Sequence, residues 1–298
     1  MSPREPLRLT NGEVDLVIPR AFGLRVLRYG FVDGVNFLAE VPDVVIPTSL
    51  GDWRPRGGHR LWVSPESMPG SYAPDDGPIQ CDADDALTAT LIQSTDATGI
   101  EKQMTVSLAQ SGSRVTLTHQ LINRTSWPVA VASWGITVVR PDAVAVIPQP
   151  PFRRHRDALL PVRPLVQWSF TDLTDPRWSI GARLIQLRTD ASLPEPQKIG
   201  AGNTQGWCAA VMPDGVYIKR FGWDRTATYP DFGCNNEIFS AGPYLEVEAL
   251  GPLQVVLPGE STGHTEHWYL FSALPAGAGD EQSRSDALEQ LVSQTEAA

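Results

Sequence analysis

Apolar residues in this chain recur at every second position in short runs, and each run stops at Pro, Gly, Asn or Asp, from near the amino terminus almost to the end. A period of two belongs to extended chain, in which successive side chains point to opposite faces and one face is buried. In the stretch from 114 to 121, Val115, Leu117, His119 and Leu121 fall on one face, while Arg114, Thr116, Thr118 and Gln120 fall on the other. The polar turn from Asn123 to Ser126 leads into a return strand over Trp127 to Val139, a hairpin in sequence. Similar runs predict strands over 14–18, 24–29, 87–93, 101–108, 183–187, 207–211, 216–221, 244–250, 253–257 and 264–271, enough for a large antiparallel sandwich. A helical pattern occurs only near the end, from 280 to 295, where Ala287, Leu288, Leu291 and Val292 share a face; it reads as a docking helix or a fraying tail.

The passage from Pro141 to Pro164 is rich in proline, yet the strand signals on its two sides are alike. We read it as a surface excursion within one domain spanning 1–298. Among 298 residues, 42% are hydrophobic and the net charge is -10, so a substantial core is available and a broad phosphate-binding surface is disfavoured. The run Arg153-Arg154-His155-Arg156 is a local exception that follows several prolines, read as a solvated loop able to attract an acidic group. No secretory leader or membrane-length apolar stretch is seen, so the expectation is a cytoplasmic protein with neither nucleic acid nor membrane as partner. Cys81, Cys208 and Cys234 are scattered without paired spacing, which disfavours both a disulfide framework and a thiolate metal site.

The densest ligand chemistry lies in Gly57-Gly58-His59-Arg60-Leu61-Trp62-Val63-Ser64-Pro65-Glu66. Two glycines permit unusual backbone geometry, and His59, Arg60, Trp62 and Glu66 offer a titratable ring, a fixed cation, a flat surface and a carboxylate. The same segment also reads as a turn with a buried Trp and a surface Arg. A second candidate combines Lys219, one of an alternating Lys-Arg pair, with Asn236 and Glu237; a turn with a salt bridge explains it equally. Glu246 and Glu248 share a strand face, where desolvation would resist ionisation of both and leave one as an acid or base near neutral pH. On a wet face they are merely solubilising, the common situation for strand carboxylates. His59, His264 and His267 lack compact metal-ligand spacing, and the Gly-x-Ser-x-Gly, P-loop and Rossmann signatures are missing, so neither metal nor organic cofactor is expected.

Taken in order, several segments resemble the galactose mutarotase-like superfamily, in an aldose 1-epimerase-related branch. They are Asn11-Gly12, Gly23-Leu24-Arg25-Val26-Leu27, the Gly57 to Trp62 run, Leu121-Ile122-Asn123-Arg124-Thr125, Trp127-Pro128-Val129, Glu246 to Pro252 and Leu257-Pro258-Gly259-Glu260. The resemblance covers most of residues 5 to 273 and implies an all-β antiparallel supersandwich, with a short C-terminal helix, whose concave face binds a saccharide. It further implies that a carboxylate takes the anomeric hydroxyl proton while a histidine protonates the ring oxygen. Glu248 matches that carboxylate, and Arg60 and Trp62 resemble substrate-positioning residues. Where such proteins carry the histidine, this chain has Ser133-Trp134-Gly135, and indole cannot act as that acid. His59 or a histidine of the terminal strand is the candidate substitute, His59 being the one assigned, and Trp134 joins the binding residues. The expected function is thus a carbohydrate epimerase or mutarotase, with a noncatalytic carbohydrate-binding protein or another small-molecule lyase or isomerase as alternatives.

Overall fold

A computed structural model describes residues 5–83, 85–274 and 279–298. Two large antiparallel sheets dominate it. The first has ten strands in the spatial order Gln80–Ala83, Thr88–Gln93, Ile100–Leu108, Val115–Asn123, Ser261–Phe271, Gly215–Phe221, Trp207–Met212, Val144–Pro148, Leu184–Arg188 and Trp178–Ile180. The second runs Leu165–Gln167, Gln197–Ala201, Asn236–Ala241, Tyr244–Leu250, Val129–Val138, His59–Ser64 and Arg25–Val26, with Gln254–Val256 paired to the start of Val129–Val138. A three-stranded sheet (Leu7–Thr10, Val14–Ile18, Arg28–Phe31) closes one side.

Alternation is the reason these segments stack. Strand Ile100–Leu108 buries every second residue, and Val115, Leu117, His119 and Leu121 all turn inward as their spacing predicts. One continuous apolar cluster draws Leu117 and Trp268 from the first sheet together with Leu61 and Val247 from the second. The predicted strand at 24–29 is broken into Arg25–Val26 and Arg28–Phe31, which join different sheets. Within the proline-rich passage, Val144–Pro148 is a buried strand; only the later part, 151–164, is an exposed excursion. Asn236, expected in a turn, opens a strand instead.

The predicted terminal helix forms over Glu281–Val292, and the Asp280 side chain accepts a hydrogen bond from the Ser283 amide at 2.8 Å, satisfying one of the free donors of its first turn. Leu288 and Leu291 bury against Val146, Trp207 and Val216, so the helix docks on the outer face of the ten-stranded sheet. No helix among the described residues is long and apolar enough to cross a membrane.

Gly58 has φ +64°, and a Cβ there would stand 2.3 Å from the Val26 carbonyl oxygen. Its amide donates to Ala39 O at 2.8 Å, and its carbonyl accepts from Val138 N at 2.8 Å, so the backbone cannot drift. Gly58→Ala should therefore cost the left-handed penalty of about 1–2 kcal/mol plus displacement of the Val26 strand. A urea midpoint unchanged from the parent would show that this geometry is not required.

Candidate functional site

Directly paired residues in an antiparallel sheet point to the same face. In the second sheet one such row runs Arg60, Ile136, Glu248, Glu237 and Gly200. One step along the pleat lies the row Trp62, Trp134 and Leu250, and on the other side the row Val138, Glu246, Phe239 and Lys198. All these side chains therefore belong to the face turned away from the first sheet.

This face floors a cleft of about 530 Å³. Trp62 stacks on Trp53 with centroids 5.1 Å apart and tilts against Trp134 at 5.2 Å, while Tyr72 meets Trp62 edge-on at 4.8 Å. Arg60 Nη2 lies 3.0 Å from Glu246 Oε1, which also accepts the Tyr244 hydroxyl at 2.6 Å. The Arg60 guanidinium rests over the Trp62 ring at 5.0 Å. Lys198 Nζ sits 4.5 Å above the Trp134 ring and pairs with Glu237 at 2.7 Å and Glu248 at 3.1 Å. Trp134 Nε1 donates to the same Glu248 oxygen at 2.8 Å. Glu66, at the exposed rim, accepts from the Tyr72 hydroxyl.

Burial sets the electrostatics. Desolvation raises the Glu237 carboxyl well above the ordinary carboxylate range; Lys198 opposes this and Glu248 adds to it. Glu246 is raised as well, chiefly by burial, with Arg60 pulling it back and Glu248 pushing it up. Burial opposes the charge on Lys198, yet Glu237 and Glu248 more than compensate, and its pKa lies above the ordinary lysine value. Glu246 and Glu248 are 6% and 0% exposed, so their face is desolvated, not the wet face usual for strand carboxylates.

Of the residues singled out in sequence, Arg60, Trp62, Glu66, Trp134 and Glu246 line the cleft. Glu237 and Glu248 lie fully buried behind it, beneath Lys198 and Trp134. Three others are elsewhere. His59 neighbours Arg60 in one strand, and the pleat sends it to the interior between the sheets, so the two cannot share the cleft. Asn236 likewise alternates with Glu237 and turns inward, where its side chain donates to Glu248 O at 2.7 Å and accepts from Asn203 at 2.9 Å. Lys219 belongs to the first sheet, where it pairs with Glu266 of the neighbouring strand at 3.2 Å, and its ammonium reaches across the interior to the Gly135 carbonyl at 3.0 Å. The run at 153–156 stands exposed on the 151–164 excursion, with Phe152 and Leu160 beside it.

Between the sheets lies a second polar cluster. His59 Nε2 and His119 Nε2 share a hydrogen bond of 2.8 Å, His59 Nδ1 meets Thr137 Oγ1 at 2.9 Å, and His264 stacks on His119 at 4.5 Å. Burial drives the His119 pKa down to about 3 and that of His59 well below its ordinary value. Donor atoms of His59, His119 and Glu266 lie within 4.8 Å of one another, close enough for a metal ion. The donors are already committed, however: the imidazoles bond to each other, and Glu266 holds Lys219, His264 and the Trp268 indole, the last at 2.7 Å. We read this cluster as a polar core whose ring nitrogens are paired except for His119 Nδ1, which has no hydrogen-bond partner among the described residues.

No protein-family model matches the chain, and no curated protein matches it in sequence. Solved structures do. A galactose mutarotase-like protein from Lactobacillus casei superposes with a TM-score of 0.56 at 12% identity, covering 89% of this chain and 100% of its own. A galactose mutarotase related enzyme from Lactobacillus acidophilus gives 0.52 at 9% identity over 90% and 98% of the two chains. A galactose mutarotase-like protein from Clostridium acetobutylicum gives 0.51 at 9% identity over 89% and 94%. The chain has the galactose mutarotase-like fold.

Within this mutarotase-like sandwich, sequence reading overlooked Lys198, Trp53 and Tyr72. Lys198 had a signal: it is a lone cation in the short run Gln197-Lys198-Ile199-Gly200-Ala201, which becomes a strand buried along its whole length. Trp53 reaches the cleft from the end of the three-residue strand Gly51–Trp53 and Tyr72 from a turn after strand His59–Ser64, segments too short or irregular for periodicity to announce a facing.

Proposed function

We propose that the cleft binds a saccharide. The observation that carries this reading is the joint placement of indole and phenol rings with Arg60, Lys198, Glu66 and Glu246 around one opening. Aromatic rings accept the C–H faces of a sugar, and fixed charged groups orient its hydroxyls. The mutarotase-like fold of the neighbours agrees with a carbohydrate ligand.

A second reading, sugar isomerisation by opening and reclosing of the ring, draws support from one feature. Glu246 lines the cleft beside a tyrosine hydroxyl at 2.6 Å, and burial raises its carboxyl above the ordinary carboxylate range, the direction an acid-base group needs. In this reading Glu246 replaces the Glu248 and His59 pair, because Glu248 is covered by Trp134 and His59 faces the opposite side of the sheet. The absence of any cleft histidine among the described residues favours binding as the primary role.

A panel of aldoses titrated by calorimetry tests both readings. Trp62→Ala is expected to weaken the best ligand about tenfold or more, the scale of one lost aromatic contact. Polarimetry on the same sugars then separates the roles. Accelerated anomer exchange abolished by Glu246→Gln would establish the isomerase, whereas binding without acceleration leaves a binder. No binding by any sugar would overturn both.

A further inference from the structure

The charge arrangement of the cleft narrows the ligand further, given the saccharide reading on which this rests. Its cations are already engaged. Arg60 is held by Glu246 at 3.0 Å and by the Tyr244 hydroxyl at 3.4 Å, and its guanidinium lies over two indoles. Lys198 is held between Glu237 and Glu248 and lies over the rings of Trp134 and Trp168. An anionic substituent on a sugar would have to compete with buried carboxylates for either one, losing pairs formed away from water.

The carboxylates outnumber these cations. Glu66, Glu237, Glu246 and Glu248 stand at or behind the cleft wall against Arg60 and Lys198, four against two. Glu66 is the one in excess at the opening: among the described residues it has no cation within ion-pair distance, and its partner there is the Tyr72 hydroxyl, a neutral donor. The Tyr72 and Trp62 rings, 4.8 Å apart, line the same part of the wall. A carboxylate beside aromatic rings attracts a cation both by its charge and by the negative faces of the rings.

We infer that the cleft takes an amino sugar, a saccharide whose ammonium group sits against Glu66 beside Tyr72 and Trp62 while the pyranose lies on the aromatic wall. The same arrangement selects against uronic and phosphorylated sugars, which bring a second negative charge to the rim.

Calorimetry with glucosamine, galactosamine, their N-acetyl derivatives, the parent hexoses and glucuronate, all below the amine pKa, provides the test. The expected result is affinity at least tenfold higher for a hexosamine than for its parent hexose or N-acetyl derivative, with glucuronate weakest and the preference shrinking as salt is added. Glu66→Gln should reduce the hexosamine-to-hexose ratio to within about threefold, and Glu66→Lys should reverse the order towards glucuronate. Hexose or glucuronate binding as tightly as hexosamine would overturn the inference while leaving the saccharide reading intact. Silence from every sugar would instead remove the saccharide reading and this inference with it. A ratio unmoved in Glu66→Gln would place the ammonium elsewhere and also refute the assignment.

Discussion

Lys198→Met is expected to lower stability by about 3–5 kcal/mol at pH 8, because it leaves two carboxylates without their cation. Glu237 and Glu248 are both fully buried, and Lys198 Nζ at 2.7 and 3.1 Å is the ammonium between them. The variant has one way to recover, which is to take up protons. Glu237, already raised by burial with only Lys198 holding it down, would rise further, so the deficit should shrink as pH falls from 8 to 5. Adding Glu237→Gln to Lys198→Met should recover much of the loss at pH 8. Urea midpoints of the parent and the two variants at both pH values decide it; a Lys198→Met protein as stable as the parent at pH 8 would mean the carboxylates are not ionised together.

The histidine cluster should act with the opposite sign. His119 falls to about 3 and His59 is also strongly depressed by burial, whereas in the unfolded chain each titrates at about 6.5. Between those values the unfolded state holds more protons, so stability is full above the unfolded pKa and falls as pH drops through it. His119 should cost about 2 kcal/mol by pH 5, and His59 adds a loss of the same sign. The geometry explains the resistance to protonation: the 2.8 Å contact between two Nε2 atoms needs one donor and one acceptor, and two imidazoliums would present two donors. Glu266, lowered mainly by Lys219 against its own burial, adds a loss of the same sign at lower pH, while the raised Glu237 and Glu246 oppose it. The histidine part is therefore read as a difference. His119→Gln should flatten the dependence of stability on pH between 4 and 6 by about 1.4 kcal/mol per pH unit relative to the parent. Parallel curves would show that His119 is as easily protonated folded as unfolded.

Much of the fold was legible because a strand needs only a two-residue period and a stop. Val14–Ile18 and Tyr244–Leu250 fall where alternation puts them, and the terminal helix is visible from Ala287, Leu288 and Leu291. Strands Val144–Pro148 and Gln197–Ala201 were hidden for a physical reason: each is buried almost throughout, so it shows no polar face and no alternation. The site divided along the same line. Arg60 and Trp62 could be found because their segment is chemically dense, and Trp134 because it stands where the resemblance expects a histidine. Lys198 offered only a lone cation in an otherwise uncharged run, and Trp53 and Tyr72 offered nothing local, because nothing in sequence says that three separate segments meet.

By itself the sequence determined the antiparallel character of the chain, the docking face of its last helix and the shared face of Glu246 and Glu248, since each follows from spacing along one element. Only the tertiary structure decided that those carboxylates are dry, that Arg60 pairs with Glu246 and Lys198 with Glu248, and that His59 belongs to the interior. Register between strands distant in sequence sets which side chains share an opening, and burial sets their charge; neither quantity is defined until both sheets are in place.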